Sequence, residues 1–164
     1  MGKITRCGLC AALLAVSAFL AIPVGDMRFT MQTFALFFTL ATLGGKWGTV
    51  TCLVYLLLGG LGVPIFAGFQ GGVSVLLGPT GGYLWGFLAA GLTVWLLEKY
   101  LPLWASLALG MVVCYACGTL WYGFVYLEKG WGLVFLKCVL PYLLPDGLKL
   151  WLALYVRKRM GENL

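Results

Sequence analysis

The sequence predicts an all-α integral membrane protein of six transmembrane helices, with a glycine-rich, outward-facing loop between helices 3 and 4. Composition is the first reason. The 164 residues are 62% hydrophobic and 10% charged, whereas a soluble domain carries about 25% charged residues and could not cover its surface with fewer than half that. Mean hydropathy is +1.00. The second reason is charge placement: basic residues fall in short clusters between apolar runs, as membrane topology places them. The third is the stretch 59–86, where many glycines alternate with apolar residues and no Asp, Glu, Lys or Arg occurs. Irregular apolar backbone of this kind is tolerated at membrane depth only where protein buries it or a cavity hydrates it. The stretch therefore reads as the wall or cap of a binding cavity. At roughly 20 residues per span, the chain accommodates six helices in a single membrane domain, 1–164.

The first span is expected over Cys7–Val24, behind Lys3 and Arg6. A basic start before an apolar run also describes a signal peptide, but no clear A-x-A cleavage site follows, so a retained helix is expected. Pro23 and Gly25 end it, and Asp26 and Arg28 form a loop. Phe29–Leu43 is a second, shorter span, and Gly44, Gly45, Lys46 and Trp47 turn the chain into a third, Gly48–Ile65. The fourth span is Thr80–Leu97, followed by a turn at Glu98, Lys99 and Pro102. The fifth is Leu103–Leu127, followed by Glu128, Lys129 and Gly130. Trp131–Leu144 contains Lys137 and Pro141 and is too interrupted for a clean span. Pro145 suits a first helical turn, where a missing N–H does no harm. The last helix is therefore expected over Asp146–Arg157. It would rise only about 18 Å against a hydrocarbon core of ~30 Å, which leaves Asp146 inside the membrane profile.

With six spans both termini share one side. That side holds Lys3, Arg6, Lys46, Lys99, Arg157, Lys158 and Arg159, against Arg28 and Lys129 on the other. The bias makes both termini cytoplasmic and turns the glycine-rich stretch and Asp146 outward.

Asp146 and Lys149 share one face of a helix, and ionisable groups at membrane depth point to function by default. A self-neutralising structural pair is the alternative. Together the two side chains suit a small ligand that offers both N–H donors and a carboxylate. Lys137 lines the same vestibule or extends its stem outward to water. Gln32 and Thr33 face the cavity or bond a neighbouring helix. Gln70 folds over a ligand or satisfies loop backbone. Tyr55 and Tyr83 offer hydroxyls or act as interfacial anchors. Cys7/Cys10 and Cys114/Cys117 each read C-x-x-C, which can hold zinc. Here the pairs sit on apolar helices at different depths, so they read as packing residues, as do Cys52 and Cys138. Ala11, Ala15 and Ala18 form a small-residue stripe that lets another helix approach closely, within the bundle or from a partner.

Other classes are excluded or weakened. The net charge of +6 is not gathered on a soluble face as nucleic-acid binding requires. The chain has no His, so a His-based metal site or triad is impossible, and no catalytic set is recognisable. Neither a Walker A loop nor a dinucleotide fingerprint in strand–helix context is present, so any use of ATP requires another subunit. No cofactor, no metal and no enzyme activity are expected.

GTVTCLVYLLLGGLGVPIFAGF (48–69), GPTGGYLWGF (78–87), the TMQT before span two and PYLLPDGLK (141–149) occur in one order along the chain. This set resembles the biotin-transporter substrate-binding subunits (the BioY family), the S-components of energy-coupling-factor transporters, over essentially the whole chain. The resemblance implies a six-helix S-component that takes up biotin across the cytoplasmic membrane. It implies one biotin held near the outer face, and as partners a membrane scaffold subunit and two cytoplasmic ATPase subunits. The stripe residues Ala11 and Ala15 would meet the scaffold. Asp146 would accept from the ureido group, and Lys149 would meet the carboxylate or the ureido carbonyl. Phe66, Phe69 and Tyr83 would cover the apolar body, with Gln70, Gln32 and Tyr55 as further substrate contacts. The chain departs from the family pattern in reading PDG for PGD and in carrying Gln70 within GFQGG. A solitary biotin facilitator, an ion-coupled carrier, or an S-component for another small vitamin are the rival readings. Uptake in a host lacking scaffold and ATPases, and vitamin competition, separate them.

Overall fold

The computed structural model describes residues 2–24, 27–126, 134 and 139–162. In chain order the elements are α1 (Lys3–Phe19), β1 (Ala21–Val24), β2 (Met27–Thr30), α2 (Gln32–Gly60), α3 (Val73–Leu76), α4 (Gly81–Leu97), α5 (Leu103–Tyr126) and α6 (Leu140–Glu162). The expected turn at Glu128, Lys129 and Gly130 lies outside the described residues, as does half of Trp131–Leu144.

The first departure from expectation follows α1. The helix stops at Phe19, and residues 21–24 pair antiparallel with 27–30 in the register Ala21↔Thr30 to Val24↔Met27. The first span is thus shorter than Cys7–Val24, and the second begins at Gln32, not Phe29. Ile22 and Val24 favour extended backbone, and Pro23 has no N–H for a helix to use. The Met31 N–H donates to the Leu20 carbonyl at 3.2 Å and closes the ribbon's base.

The run α2 is two antiparallel arms. Gly44 breaks it with φ 77° and ψ 170°. Gln32 Nε2 then donates to Tyr55 Oη at 2.7 Å, and a Cβ on Gly48 would lie 2.6 Å from Leu40. These contacts require the second arm to run back along the first. Helix resumes at once after Gly44, so Lys46 and Trp47 are helical rather than part of a turn. The Gly45 N–H donates to Glu98 Oε2 at 2.7 Å, which gives the second arm a carboxylate at its start. A Cβ on Gly45 would stand 2.2 Å from the Trp95 Cα, so the turn sits directly on the backbone of α4.

Glycines also bring α4 against its other neighbours. A Cβ on Gly82 would meet Trp121 of α5 at 2.2 Å, and one on Gly91 would meet Thr49 of α2 at 2.7 Å. Small residues at such crossings let membrane helices approach closely. The resulting core includes Leu14 of α1, Leu36 and Tyr55 of α2, Phe87 and Val94 of α4, and Leu107 of α5. Outward faces are also apolar, with Leu57, Leu96, Leu120, Phe124, Leu148 and Trp151 exposed. A soluble protein rarely leaves apolar patches so extensive. Two helical runs have the length and hydropathy of a membrane span, Gln32–Gly60 and Leu103–Val125. The first folds back at Gly44, so its arms, 32–43 and 45–60, are each shorter than the roughly 20 residues of a full crossing.

The last helix corrects the expectation at Pro145. It begins at Leu140, with Pro141 in the first turn and Pro145 inside. Tyr142 and Leu143 N–H both donate to the Val139 carbonyl at 3.1 Å. Pro145 lacks the N–H that would reach back to Pro141, so only one helical bond is lost near the start. Asp146 is therefore held within the helix rather than at its first residue.

Gly45→Ala places a methyl against the Trp95 backbone and is expected to destabilise the protein by about 1–3 kcal/mol, the usual range for overpacking. Gly8, whose Cβ would meet nothing within 4 Å, is the matched control. Thermal unfolding of the detergent-solubilised variants should show a clear drop for Gly45→Ala and little change for Gly8→Ala.

Candidate functional site

Four elements meet at one charged pair. On α6, Asp146 and Lys149 stand three residues apart, with Nζ 2.7 Å from Asp146 Oδ1. Only 3% of Asp146 and 6% of Lys149 is exposed. Thr33, in the first turn of α2, donates its hydroxyl to Asp146 Oδ1 at 2.8 Å. Tyr115 of α5 donates to Asp146 Oδ2 at 2.6 Å. Lys149 Nζ donates to the Thr30 carbonyl of β2 at 2.7 Å and to Thr33 Oγ1 at 3.1 Å. The Phe29 ring lies over the same ammonium, its centroid 3.9 Å from Nζ, and stacks on Tyr142 of α6.

Donor counting shows what this cluster can still accept. A lysine ammonium has three N–H donors and no acceptor. Asp146 Oδ1, Thr30 O and Thr33 Oγ1 engage all three. A ligand acceptor reaches Lys149 only by displacing one of them. Asp146 differs: among the described residues Oδ1 accepts two bonds, whereas Oδ2 accepts only that from Tyr115. A carboxylate offers about four lone-pair sites, so Oδ2 keeps capacity for one more N–H.

The pair lies in the wall of a cavity of about 100 Å³, measured as the space open to the centre of a water molecule. One water needs roughly 10–15 Å³ on that measure, so the space suits a small organic molecule. Leu36, Phe37, Phe66, Leu84, Phe87 and Met111 make much of the wall apolar, and Gln70 and Thr80 add polar groups from the segment after α2. Few polar groups in a mostly apolar concavity is the usual form of a small-molecule site.

Of the residues singled out in the sequence, Asp146, Lys149, Gln32, Gln70, Tyr83 and Phe66 line this cavity. Tyr55 does not line it. Fully buried, its hydroxyl accepts from Gln32 and donates to the Ile65 carbonyl at 2.8 Å, so it orients a wall residue. Phe69 is also absent from the lining: it is 67% exposed and stacks on Phe19 outside the cavity. Phe69 has a positive φ of 58°. Lys137 and Cys138 lie outside the described residues. Ala15 packs against the core and Ala11 is half-buried, while Ala12 is exposed and Gly8 meets nothing. Cys52 and Cys114 are both buried core residues, and Cys114 also borders the cavity. Among the described residues no cluster of His, Cys, Asp and Glu is arranged to hold a metal.

Sequence reasoning missed Tyr115, Thr30, Phe29 and Met111. A tyrosine, a methionine and a phenylalanine in apolar runs carry no signal of their own. Thr30 acts through its backbone carbonyl, which every residue has.

Comparison with known proteins bears on the fold and the family. A crystal structure of the S-component for biotin from an ECF-type ABC transporter superposes with a TM-score of 0.86 over 98% of this chain and 90% of that one, at 22% identity. At that identity the likeness speaks for the fold. The biotin transporter BioY of Thermotoga maritima is 41% identical over 123 residues, covering 73% of each chain. Biotin transporter BioY2 of Lactococcus lactis subsp. cremoris is 34% identical over 152 residues, 90% of this chain and 83% of that protein. The BioY family model matches residues 1–164. This end-to-end match, with relatives at 34–41% identity over most of their length, makes the chain a member of the BioY family.

Proposed function

We propose that this chain binds biotin at the outer face of the cytoplasmic membrane and delivers it inward as the substrate-binding subunit of an energy-coupling-factor transporter. The observation that carries the reading is the buried Asp146–Lys149 pair in the wall of an otherwise apolar cavity. BioY proteins are transport subunits, not enzymes.

Biotin is a bicyclic molecule with two ureido N–H donors, a ureido carbonyl, an apolar thioether ring and chain, and a carboxylate. Asp146 Oδ2 has the free acceptor capacity, so it takes a ureido N–H, with Tyr115 holding the carboxylate in place. A ligand oxygen, from the ureido carbonyl or the carboxylate, reaches Lys149 by replacing one of its present acceptors. Phe66, Phe87 and Leu36 cover the apolar body, with Tyr83 beside them. Gln32, oriented by Tyr55, and Gln70 supply the remaining polar contacts.

The chain works as a single membrane domain, 1–164. Its spans are α1, the two arms of α2, α4, α5 and α6. The bias of the basic residues supports cytoplasmic termini. Partners are a membrane scaffold subunit and two cytoplasmic ATPase subunits, with the scaffold approaching α1 along the side of Ala11 and Ala15. A solitary biotin carrier, working without scaffold and ATPases, is the second reading. Biotin uptake in a host without scaffold and ATPases separates the two.

Asp146→Asn removes the charge that the ureido donor and Lys149 both meet, and Lys149→Ala leaves a buried carboxylate without its cation. Each is expected to weaken biotin binding by about tenfold to several hundredfold, the range for losing a charge-assisted buried bond. Calorimetric titration of the purified variants checks this, and wild-type affinity in both removes the assignment. Tyr115→Phe deletes one donor to Asp146 and is expected to lower ligand-free stability by about 1.5–3 kcal/mol, read by thermal unfolding in detergent.

A further inference from the structure

The turn 66–70 borders the cavity and is pegged from two sides. Phe66 N–H donates to the Gln70 carbonyl at 2.9 Å, and Gln70 N–H returns the bond at 3.3 Å. On the inner side Phe66, 1% exposed, meets Tyr55 edge-on at 5.5 Å. On the outer side Phe69 stacks on Phe19, the last residue of α1, with ring centroids 4.2 Å apart and planes 17° apart.

The backbone at Phe69 is the informative part. Among the described residues it is the one non-glycine with positive φ, at 58°. A bulky side chain adopts that region only where its surroundings over-determine it. Gly68 just before it has φ 76°, and a second glycine would serve the turn without strain. Burial does not explain a phenylalanine that is 67% exposed. The contact that does is the stack on Phe19. Beside the turn, a second and more open depression runs along Gly71, Ser74 and Gly78 and shares Gln70, Val75 and Thr80 with the cavity wall. Gln70 of the turn thus lies in the wall common to the cavity and this outer depression.

We propose that the Phe19–Phe69 stack is a latch that holds the 66–70 turn closed against α1, and that ligand enters and leaves past this turn when the stack parts. Phe69 is then a positioning residue: it acts through Phe66 and Gln70 and does not touch the ligand. Because the latch closes on α1, a shift of α1 relative to the turn changes access to the cavity. The choice of biotin as the probe rests on the proposed function; the latch itself does not.

The test uses the purified full chain with Phe19→Ala, Phe69→Gly, the double variant and Phe69→Trp. Stopped-flow biotin kinetics should show association and dissociation both faster by roughly 2- to 12-fold in each single variant, the factor for losing an aromatic pair. The equilibrium Kd should stay within about twofold of wild type. The double variant should add nothing further, and Phe69→Trp, which restores a stacking ring, should return the rates toward wild type. Wild-type rates in both single variants overturn the latch. So does faster dissociation alone with a weaker Kd, the pattern of a plain ligand contact. A ligand-free arm measures amide hydrogen exchange over 66–70, which should accelerate in Phe19→Ala; unchanged protection there also overturns the latch. Failure of the wild-type protein to bind biotin counts against the proposed function, and the exchange arm still decides the latch.

Discussion

A carboxylate and an ammonium buried in apolar surroundings hold the functional part of this fold together. Either charge alone would be costly at such a depth, and even a pair must recover its lost hydration through further hydrogen bonds. Asp146 and Lys149 do this by recruiting Tyr115, Thr33 and the Thr30 carbonyl. Those partners come from α5, α2 and β2, so satisfying two charges draws three other elements to one point. The hairpin after α1 is placed by the same requirement, since Thr30 ends β2 and Phe29 covers the ammonium. The cluster is full toward acceptors and open by one site toward donors. That asymmetry favours a ligand that presents N–H groups first.

Close helix packing supplies the frame around this cluster. Gly44 reverses the chain, Gly45 seats the reversal on Trp95, and Glu98 bonds the start of the returning arm. Gly82 and Gly91 draw α4 against both neighbours. Short arms and close crossings leave room between the helices at the end where α2 begins and the glycine-rich segment follows it. The segment from 61 to 80, irregular apart from α3, is tolerable there because it borders that cavity, with Phe66 buried beneath it.

Much of this was legible in residue order, and the remainder was not for physical reasons. Charges inside apolar runs are conspicuous, so Asp146 and Lys149 could be picked out at once. The cavity role of 59–86 followed from glycines without charge, and the break at Gly44 from paired glycines. The β-ribbon was hidden because an apolar run of helical length covers β1, although Gly25-Asp26 between two short runs is itself a hairpin signal. The start of α6 was misplaced because Pro141 and Pro145 both suit a first turn, and only the packing of Asp146 against Tyr115 and Thr33 distinguishes them. Phe69 was expected inside the cavity because aromatic character is visible in sequence and the sign of φ is not. Tyr115 was missed because a tyrosine within an apolar helix looks the same whether its hydroxyl meets lipid headgroups or a buried carboxylate.

The central claim is that the Asp146–Lys149 cavity is a biotin site. Calorimetric titration of the purified, detergent-solubilised protein with biotin, with thiamine and riboflavin as controls, tests it most directly. The account predicts saturable, one-to-one binding of biotin and no heat beyond dilution from the other two vitamins. Folded protein that ignores biotin, or that binds the three alike, would contradict it.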